Sequence, residues 1–234
     1  MTDQNSFEQK SPTEPAPATH ADEGKDEEIE FFDFYEFDKQ RRKMVKEKLG
    51  VDIILSQVRY IDANGQLVTE WYTDYARRIF IRRFPTFETF LTAWLTTDRK
   101  QSIVAELYYQ GIFMDKLQEM LGTDLDPYDL ICHLAFDCKA RTRLERANQV
   151  RGKAEYLDKY GKAARNIVDV VVKKFSEDGY ITLDKMLDDV LLRHSFSTPP
   201  FDEFGSPLKL YRAFGGKKHF KTAMRELQDM IYQD

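Results

Sequence analysis

The sequence predicts a mainly α-helical fold, a compact helical bundle with one N-terminal β-hairpin and a disordered acidic tail before it. Three observations predict it. From about residue 74 to residue 234, apolar residues recur at the three- and four-residue spacing of helix faces. Gly, Pro and capping residues break this pattern at short intervals, which favours antiparallel neighbours in a bundle. Before it, at about residues 51–72, two β-branched runs flank an Asn-Gly turn.

The predicted tail comprises the first 30 residues. They contain nine acids and two bases, a net charge of −7, whereas the whole 234-residue chain carries −5, so residues 31–234 carry +2. A segment so rich in Pro, Ser, Thr and acids cannot bury enough apolar surface to offset its loss of backbone entropy on folding. We therefore expect residues 1–30 to be a disordered acidic linker or tail, and residues 31–234 to form one domain.

The first elements of the predicted domain are short. Aromatic and acidic residues mix at 31–37, which is compatible with an edge strand, and residues 40–49 are predicted as a short basic helix. The chain is then predicted to form one strand over 51–61, followed by a turn at Asn64-Gly65 and a second strand over 66–72. We expect this hairpin to pack on helices, because an isolated hairpin is only marginally stable in water.

Helix starts are predicted where a side chain that accepts a hydrogen bond precedes a helical apolar period. On this ground the predicted N-caps are Asp74, Thr86, Asp98, Asp126 and Thr182. Asp126 is followed by proline, which is favoured at the first helical position. The long apolar period over residues 156–175 predicts one continuous helix.

The stretch at residues 126–152 joins an apolar helix to a basic arm. Between residues 139 and 174 the chain has eleven bases and four acids. An exposed basic arm could neutralise DNA phosphates, form paired hydrogen bonds with carboxylates of a protein partner, or be an ordinary solvated helix face. The candidate residues for an interface or for DNA phosphates are Lys139, Arg141, Arg143, Arg146, Arg151, Lys153 and Arg165.

Two patterns suggest catalysis, and neither is adopted. Asp129 followed by Asp137-x-Lys139 imitates a magnesium-dependent nuclease, but that chemistry needs residues converging from adjacent strands, and these lie on or just after a predicted helix. We expect Asp137 to end that helix. The sequence has no G-x-x-x-x-G-K-[ST] loop, so we predict no ATP site, no other cofactor site and no catalytic residue in this chain.

The two cysteines, Cys132 and Cys138, lie on either side of His133. A closed zinc site needs four ligands, and the remaining histidines are not spaced to complete one. We therefore predict no metal site, and we expect Cys132 to be buried on the apolar face of its helix. Two cysteines give no disulfide framework, and the sequence has neither a signal pattern nor a membrane-length apolar run. A cytoplasmic protein is expected.

Three motifs occur in order along the chain. They are Y-I-D-A-N-G-Q-L-V-T-E-W-Y-T-D-Y at 60–75, D-P-Y-D-L-I-C-H-L-A-F-D with T-R-L-E-R-A at 126–147, and P-P-F-D-E-F-G-S-P-L-K-L-Y-R-A-F-G-G at 199–216. Together they resemble the C-terminal domain of the R subunit of type I restriction enzymes, the EcoEI-like class. The resemblance covers roughly residues 51–234, and three ordered motifs are far more specific than one short pattern.

The resemblance implies a module that docks the motor-nuclease subunit onto the modification (M) and specificity (S) subunits during DNA restriction. ATP and Mg²⁺ are then expected only in the motor and nuclease parts of a full R subunit, and contact with DNA through the complex. Two other interpretations stay open. The chain could be a stand-alone DNA-binding module, or a separately encoded regulator that occupies the core in place of the complete R subunit.

Overall fold

The computed structural model describes residues 52–54, 56–197 and 199–233. In this part of the chain twelve α-helices follow a small antiparallel sheet, so the predicted mainly α fold with an N-terminal hairpin is confirmed. The predicted tail at 1–30, strand at 31–37 and helix at 40–49 lie outside the described residues. Among the described helices, none combines the length and the apolar character that crossing a bilayer requires.

The sheet has the strand order β1 (Asp52–Ile54), β2 (Gln57–Ile61) and β3 (Leu67–Trp71). The prediction of one strand over residues 51–61 is wrong, because the chain turns at Ser56 and β1 pairs back on β2, with Asp52 opposite Arg59. This turn also fixes the first helix, since the Tyr72 N–H donates to the Ser56 carbonyl at 2.8 Å.

The predicted turn between β2 and β3 is confirmed. One carboxylate oxygen of Asp62 accepts from the Asn64 N–H at 2.9 Å and from the Gln66 N–H at 2.8 Å. Gly65 has a φ of 77°, a conformation that is strained for residues with a β-carbon. These local hydrogen bonds set the register in which Ile61 pairs with Leu67.

Twelve α-helices and one 3₁₀ turn, at Phe201–Phe204, complete the described fold. The helices are α1 (Tyr72–Arg83), α2 (Phe87–Thr96), α3 (Lys100–Tyr108), α4 (Met114–Leu121), α5 (Pro127–Phe136), α6 (Arg143–Arg151), α7 (Ala154–Leu157), α8 (Lys162–Asp178), α9 (Tyr180–Leu187), α10 (Asp189–Ser195), α11 (Pro207–Ala213) and α12 (Lys217–Tyr232).

The last helix, α12, lies at the centre of the bundle. It contacts α2, α6, α9 and α11, and Phe220, Met224, Leu227 and Ile231 on its buried face have no exposed surface. The i, i+4, i+7, i+11 spacing of these residues makes one apolar stripe, and its burial supplies most of the reason for this helix to form. The helices around it are thereby brought together at a single core.

An aromatic cluster fills the middle of that core. The Trp94 ring lies 5.9 Å from Tyr128, 6.0 Å from Tyr180 and 5.8 Å from Tyr232, measured between ring centroids. Tyr128 and Tyr232 are 4.6 Å apart, and the Tyr128 hydroxyl donates to the Tyr232 carbonyl at 2.9 Å. Tilted and edge-on pairs of this kind add to the stabilisation from buried area. The cluster therefore joins α2, α5, α9 and α12.

Two of the predicted N-caps are confirmed, and three are wrong. Thr86 accepts from the Thr89 N–H at 3.2 Å, and Asp126 caps α5. Helix α1 begins before Asp74, because β3 runs directly into it and the Tyr72 N–H already has a partner. The other two errors, at Asp98 and Thr182, have a common cause.

Helices α3 and α9 are capped by carboxylates that lie far away in the sequence. The first two N–H groups of α3, at Lys100 and Gln101, both donate at 2.8 Å to Asp184 on α9, while Asp98 pairs with Arg225. Helix α9 begins at Tyr180, whose N–H donates at 2.8 Å to Asp126, so Thr182 lies inside it. In both helices a carboxylate distant in sequence accepts the hydrogen bonds of the first N–H groups, which a neighbouring residue was predicted to accept.

The predicted continuous helix over residues 156–175 is also wrong. Helix α7 ends after one turn, and Gly161 in an extended conformation precedes α8. Tyr156 and Leu157 are both buried, and the Tyr156 hydroxyl donates to the Ala223 carbonyl on α12 at 3.0 Å. The chain turns between α7 and α8 because these anchored side chains fix the direction of α7.

Gly179 joins α8 to α9 and gives the first testable prediction. Its φ is 65°, and an added β-carbon would lie 2.3 Å from the buried Asp126 carboxylate. We expect Gly179→Ala to lower the free energy of unfolding by roughly 1–3 kcal/mol, because the strain and the clash both oppose the native conformation.

The measurement is urea denaturation of Gly179→Ala beside Gly152→Ala as a matched control. Gly152 has an ordinary helical φ of −73°, and its β-carbon would meet atoms only at 3.5 Å or beyond. That control should stay within about 0.5 kcal/mol of the parent protein. Equal effects of the two substitutions would show that the α8–α9 junction is not tightly fixed by Asp126.

Candidate interaction surface

The two motif helices, α5 and α6, begin with local caps, of which the sequence analysis predicted Asp126 and missed Thr142. At the start of α5, Asp126 accepts from the Tyr128 N–H at 3.1 Å, and Pro127 occupies the first helical position. Since its second oxygen also caps α9, Asp126 is fully enclosed. Its pKa is raised to about 6, chiefly because burial disfavours the charged form.

Helix α5 ends at Asp137, as the sequence predicts. Asp137 adopts the left-handed conformation, with a φ of 55°, and the Cys138 N–H donates to the Cys132 carbonyl at 3.2 Å. The Asp137 carboxylate forms a two-pronged ion pair with Arg77 on α1, at 2.7 and 2.8 Å. The C-terminal end of α5 is thereby tied to α1.

Helix α6 begins with a reciprocal capping box inside the T-R-L-E-R-A motif. Thr142 Oγ1 accepts from the Glu145 N–H at 3.1 Å, and Glu145 Oε2 accepts from the Thr142 N–H at 2.7 Å. Each side chain satisfies a backbone donor that the helix start leaves without a partner. Two of the motif residues therefore serve to start the helix.

Arg146 lies inside the protein, with only 4% of its surface exposed. Its Nε and Nη2 donate to the two oxygens of the buried Asp129 carboxylate at 2.6 and 2.8 Å, and its Nη1 donates to the Ile231 carbonyl at 2.7 Å. The guanidinium also lies 4.8 Å from the Tyr128 ring centroid. The expectation that Arg146 belongs to an exposed basic surface is therefore wrong, because its guanidinium is paired with Asp129 inside the fold.

The other candidate bases do not form one continuous face. Lys139 and Arg141 border a shallow groove together with Glu145 and Gln149, and Arg141 Nη1 donates to Gln149 Oε1 at 2.8 Å. Arg143, only one residue from the cap Thr142, lines a different depression.

The remaining three candidates lie beyond this groove. Exposed Arg151 donates to Asn148 on its own helix at 3.0 Å, and half-buried Lys153 follows α6. Exposed Arg165 pairs with Asp158 at 3.2 Å. Exposed ion pairs such as this one contribute little to stability. The structure thus brings together only Lys139 and Arg141 among the seven predicted bases.

The residues of the nuclease-like pattern have separate partners. Asp129 is buried against Arg146 and also accepts from the Arg141 N–H at 3.0 Å, while Asp137 faces Arg77. Cys132 is buried as predicted, and burial raises the pKa of its thiol. Across residues 52–54, 56–197 and 199–233, no three His, Cys, Asp or Glu side chains are grouped as metal ligands.

A second buried ionic group was not found by sequence reasoning. Lys100 has no exposed surface, and its ammonium donates to the Thr97 carbonyl at 3.1 Å and to the side-chain oxygen of Gln228 on α12. It lies 4.0 Å from Asp184. Burial is the main reason that its pKa falls to about 8. No sequence signal marks Lys100, since its side-chain partners Asp184 and Gln228 lie 84 and 128 positions along the chain.

The Arg146–Asp129 pair gives the second prediction. Arg146→Met keeps an apolar side chain of similar length but leaves Asp129 as a buried carboxylate without a counter-charge. We expect the free energy of unfolding to fall by roughly 3–5 kcal/mol. Arg151→Met, at the exposed end of the same helix, should change it by less than about 0.5 kcal/mol.

The measurement is chemical denaturation followed by circular dichroism. Because Arg146→Met could leave too little folded protein, the double variant Arg146→Met with Asp129→Leu is measured beside it. Removing both charges should recover much of the lost stability. A single variant as stable as Arg151→Met would mean that the buried pair does not hold α5 to α6.

Residues 70–232 match the family described as EcoEI R protein C-terminal. The chain is also 34% identical, over 199 residues, to the type I restriction enzyme EcoAI endonuclease subunit of Escherichia coli. That alignment covers 85% of this chain and 24% of the relative, so the chain spans about a quarter of the relative's length. No solved structure matches the chain.

The family match begins in β3 and ends at the last residue of α12, so it covers every helix of the described fold. It includes both motif helices, whose residues carry the resemblance noted from the sequence. That resemblance is confirmed: the chain belongs to the EcoEI R protein C-terminal family, the C-terminal domain of type I restriction enzyme R subunits.

Proposed function

We propose that this chain is an assembly and coupling domain, which docks a motor-nuclease subunit onto the modification and specificity subunits of a type I restriction complex. Membership of the EcoEI R protein C-terminal family supports a place in a type I restriction complex. One observation supports the docking role most directly. The motif residues Thr142, Glu145 and Arg146 all form hydrogen bonds within the fold. These residues therefore stabilise the fold, and we propose no catalytic role for them.

The surface proposed for docking is the groove bordered by Lys139 and Arg141, beside the junction of α5 and α6. Exposed Lys139 and half-buried Arg141 place two positive charges at its edge, next to Glu145 and Gln149. The Arg141 N–H donates to Asp129, which is also the partner of Arg146, so the buried ion pair lies directly beneath this edge of the groove. An acidic patch on a partner protein would complement these charges.

The test is a pull-down of the chain with the M and S subunits of a type I restriction complex from the same source, with and without a DNA duplex, at two salt concentrations. We expect capture without DNA that persists at the higher salt. Reversing both charges with Lys139→Glu and Arg141→Glu should weaken capture at least about tenfold, which corresponds to ~1.4 kcal/mol. The matched control, Lys162→Glu with Lys173→Glu, makes the same charge change on exposed positions of α8.

Capture only with DNA, and only at low salt, would contradict docking and identify the basic residues as a phosphate-binding surface. In that case the stand-alone DNA-binding interpretation would replace the present one. Capture that blocks a complete R subunit from joining the same core would instead favour a separately encoded regulator. The three outcomes therefore distinguish the three interpretations of the sequence.

We also propose that the chain by itself hydrolyses neither ATP nor DNA. The support is that the two carboxylates of the nuclease-like pattern have guanidinium partners on different elements, Arg146 for Asp129 and Arg77 for Asp137. We expect no ATPase activity and no cleavage of plasmid DNA from the purified protein with Mg²⁺ present. Activity that Asp137→Ala abolishes, with the fold intact by circular dichroism, would refute this proposal.

A further inference from the structure

One face of the small sheet presents an apolar surface to solvent. Cross-strand pairing sets Ile61 opposite Leu67 and Gln57 opposite Trp71, and strand residues four positions apart share a face. Ile61, Leu67 and Trp71 are 57%, 68% and 55% exposed, whereas Val58 on the opposite face is fully buried. A solvated face of an antiparallel sheet normally carries polar residues. This face therefore has the composition of a surface that is covered.

The exposed apolar residues are concentrated on this face. The described part of the chain exposes eight large apolar side chains, and three of them lie here. The other five come from five different helices or helix ends. Scattered apolar residues are ordinary on a protein surface, whereas several on one face mark an interaction site. We name the face defined by Ile61, Leu67 and Trp71 the outer sheet face.

A positive charge lies in the middle of the outer sheet face. Arg59 is exposed, two positions from Ile61, and pairs across the strands with exposed Thr69. Among the residues whose side chains the structure describes, none forms an ion pair with Arg59. An occupant that fits the face therefore combines large apolar side chains with a carboxylate for the guanidinium.

The chain itself contains a segment of this composition close to the sheet. Residues 31–37, F-F-D-F-Y-E-F, have five aromatic side chains and two carboxylates, and they lie outside the described residues. Burial of aromatic side chains is favourable because it removes a large apolar area from water. The acids Asp33 and Glu36 provide the charge that complements Arg59.

The connection between this segment and the sheet is long enough. Fourteen residues, 38–51, separate the segment from β1. Even at the helical rise of about 1.5 Å per residue they span roughly 20 Å, which exceeds the length of about 17 Å of a five-residue strand. Seven extended residues span about 23 Å, so the segment can cross from the Ile61–Leu67 pair to Trp71.

We propose that residues 31–37 lie across the outer sheet face, with their aromatic side chains against Ile61, Leu67 and Trp71 and a carboxylate paired with Arg59. The segment then extends the core of the domain ahead of residue 70, where the family match begins. It also sets the place at which the acidic tail leaves the domain. This inference goes beyond the docking function and does not depend on it.

The first test is methyl NMR spectroscopy of the full 234-residue chain. An aromatic ring shifts the resonances of the methyl groups that it covers, so the docked segment shifts those of Ile61 and Leu67. The triple variant Phe34→Ser, Tyr35→Ser and Phe37→Ser should remove these shifts. Leu208, which is equally exposed on α11, should not move. Phe7→Ser, a change of the same kind outside the segment, is the control and should leave all these resonances unchanged.

Tryptophan fluorescence gives a second measurement on the same variants. The chain has two tryptophans, Trp71 on the outer sheet face and Trp94 in the core, where it has no exposed surface. Quenching by acrylamide therefore reports mainly on Trp71, and Trp71→Phe gives the signal that belongs to Trp94. The triple serine variant should make Trp71 more accessible to acrylamide, and Phe7→Ser should not.

A charge exchange tests the pairing with Arg59. Asp33→Lys with Glu36→Lys should weaken docking and reduce the methyl shifts of Ile61 and Leu67, because like charges then meet on the face. Adding Arg59→Glu to that variant should restore the shifts, since the pair forms with its charges exchanged. Thermal denaturation checks that each variant is folded, and the serine variant, which leaves the sheet unaltered, keeps the test decisive.

Four results overturn the inference. The first is no change of the Ile61 and Leu67 methyl resonances in the triple serine variant, as an edge strand at 31–37 would give. The second is a shift of those resonances with protein concentration, which makes a second copy the occupant. The third is a shift only when the M and S subunits are added, which makes a partner the occupant. The fourth is a charge exchange that restores nothing. None of the four decides whether the chain is captured by the M and S subunits, so this inference and the docking function fail separately.

Discussion

The buried ion pair between Asp129 and Arg146 is the interaction on which the rest of the structure depends. It joins α5 to α6 by two charge-assisted hydrogen bonds, and a third reaches the Ile231 carbonyl at the end of α12. Geometry of this kind can repay the cost of removing two charges from water, because nearly every donor and acceptor finds a partner. The central helix is thus fixed to both motif helices at one point.

Carboxylates that act at a distance fix the other helix ends. Asp126 serves two helix starts, α5 and α9, and Asp184 serves the start of α3 while lying 4.0 Å from the buried Lys100. Each of these carboxylates is buried, which raises its pKa to about 6. Their backbone donors favour the charged form, and desolvation opposes it. These hydrogen bonds therefore fix how the helix ends lie relative to each other, which apolar contacts alone would specify less closely.

This internal use of polar residues bears on function. A chain with a strongly basic segment suggests a nucleic-acid surface, yet the fold withdraws Arg146, pairs Arg165 with Asp158 and separates Arg143 from Lys139. The bases that stay exposed, among them Lys139, Arg151 and Arg165, do not form one continuous face. The proposed docking function therefore depends on shape and a few contacts, which set specificity between proteins, and not on one extended basic face.

Much of the local structure could be predicted from the sequence. The Asn64-Gly65 turn, the Asp126 cap and the Thr142–Glu145 capping box all depend on residues within four positions of each other. The identities of neighbouring residues therefore contain the information that specifies them. Apolar periodicity likewise predicted the helical class. These elements can be read from neighbouring residues because backbone hydrogen bonding at a turn or a helix start is a local requirement.

Which charges are buried, and which helix ends are capped by residues distant in sequence, depends on how the helices pack. Arg146 and Arg151 lie on one helix with the same chemistry, but Arg146 alone of the two contacts Asp129, 17 positions earlier, and the Ile231 carbonyl inside the fold. The Tyr180 N–H depends on Asp126, 54 positions away, and the depression that Arg143 lines forms only where helices distant in sequence meet. Burial depends on the whole packed core, and no stretch of neighbouring residues contains it.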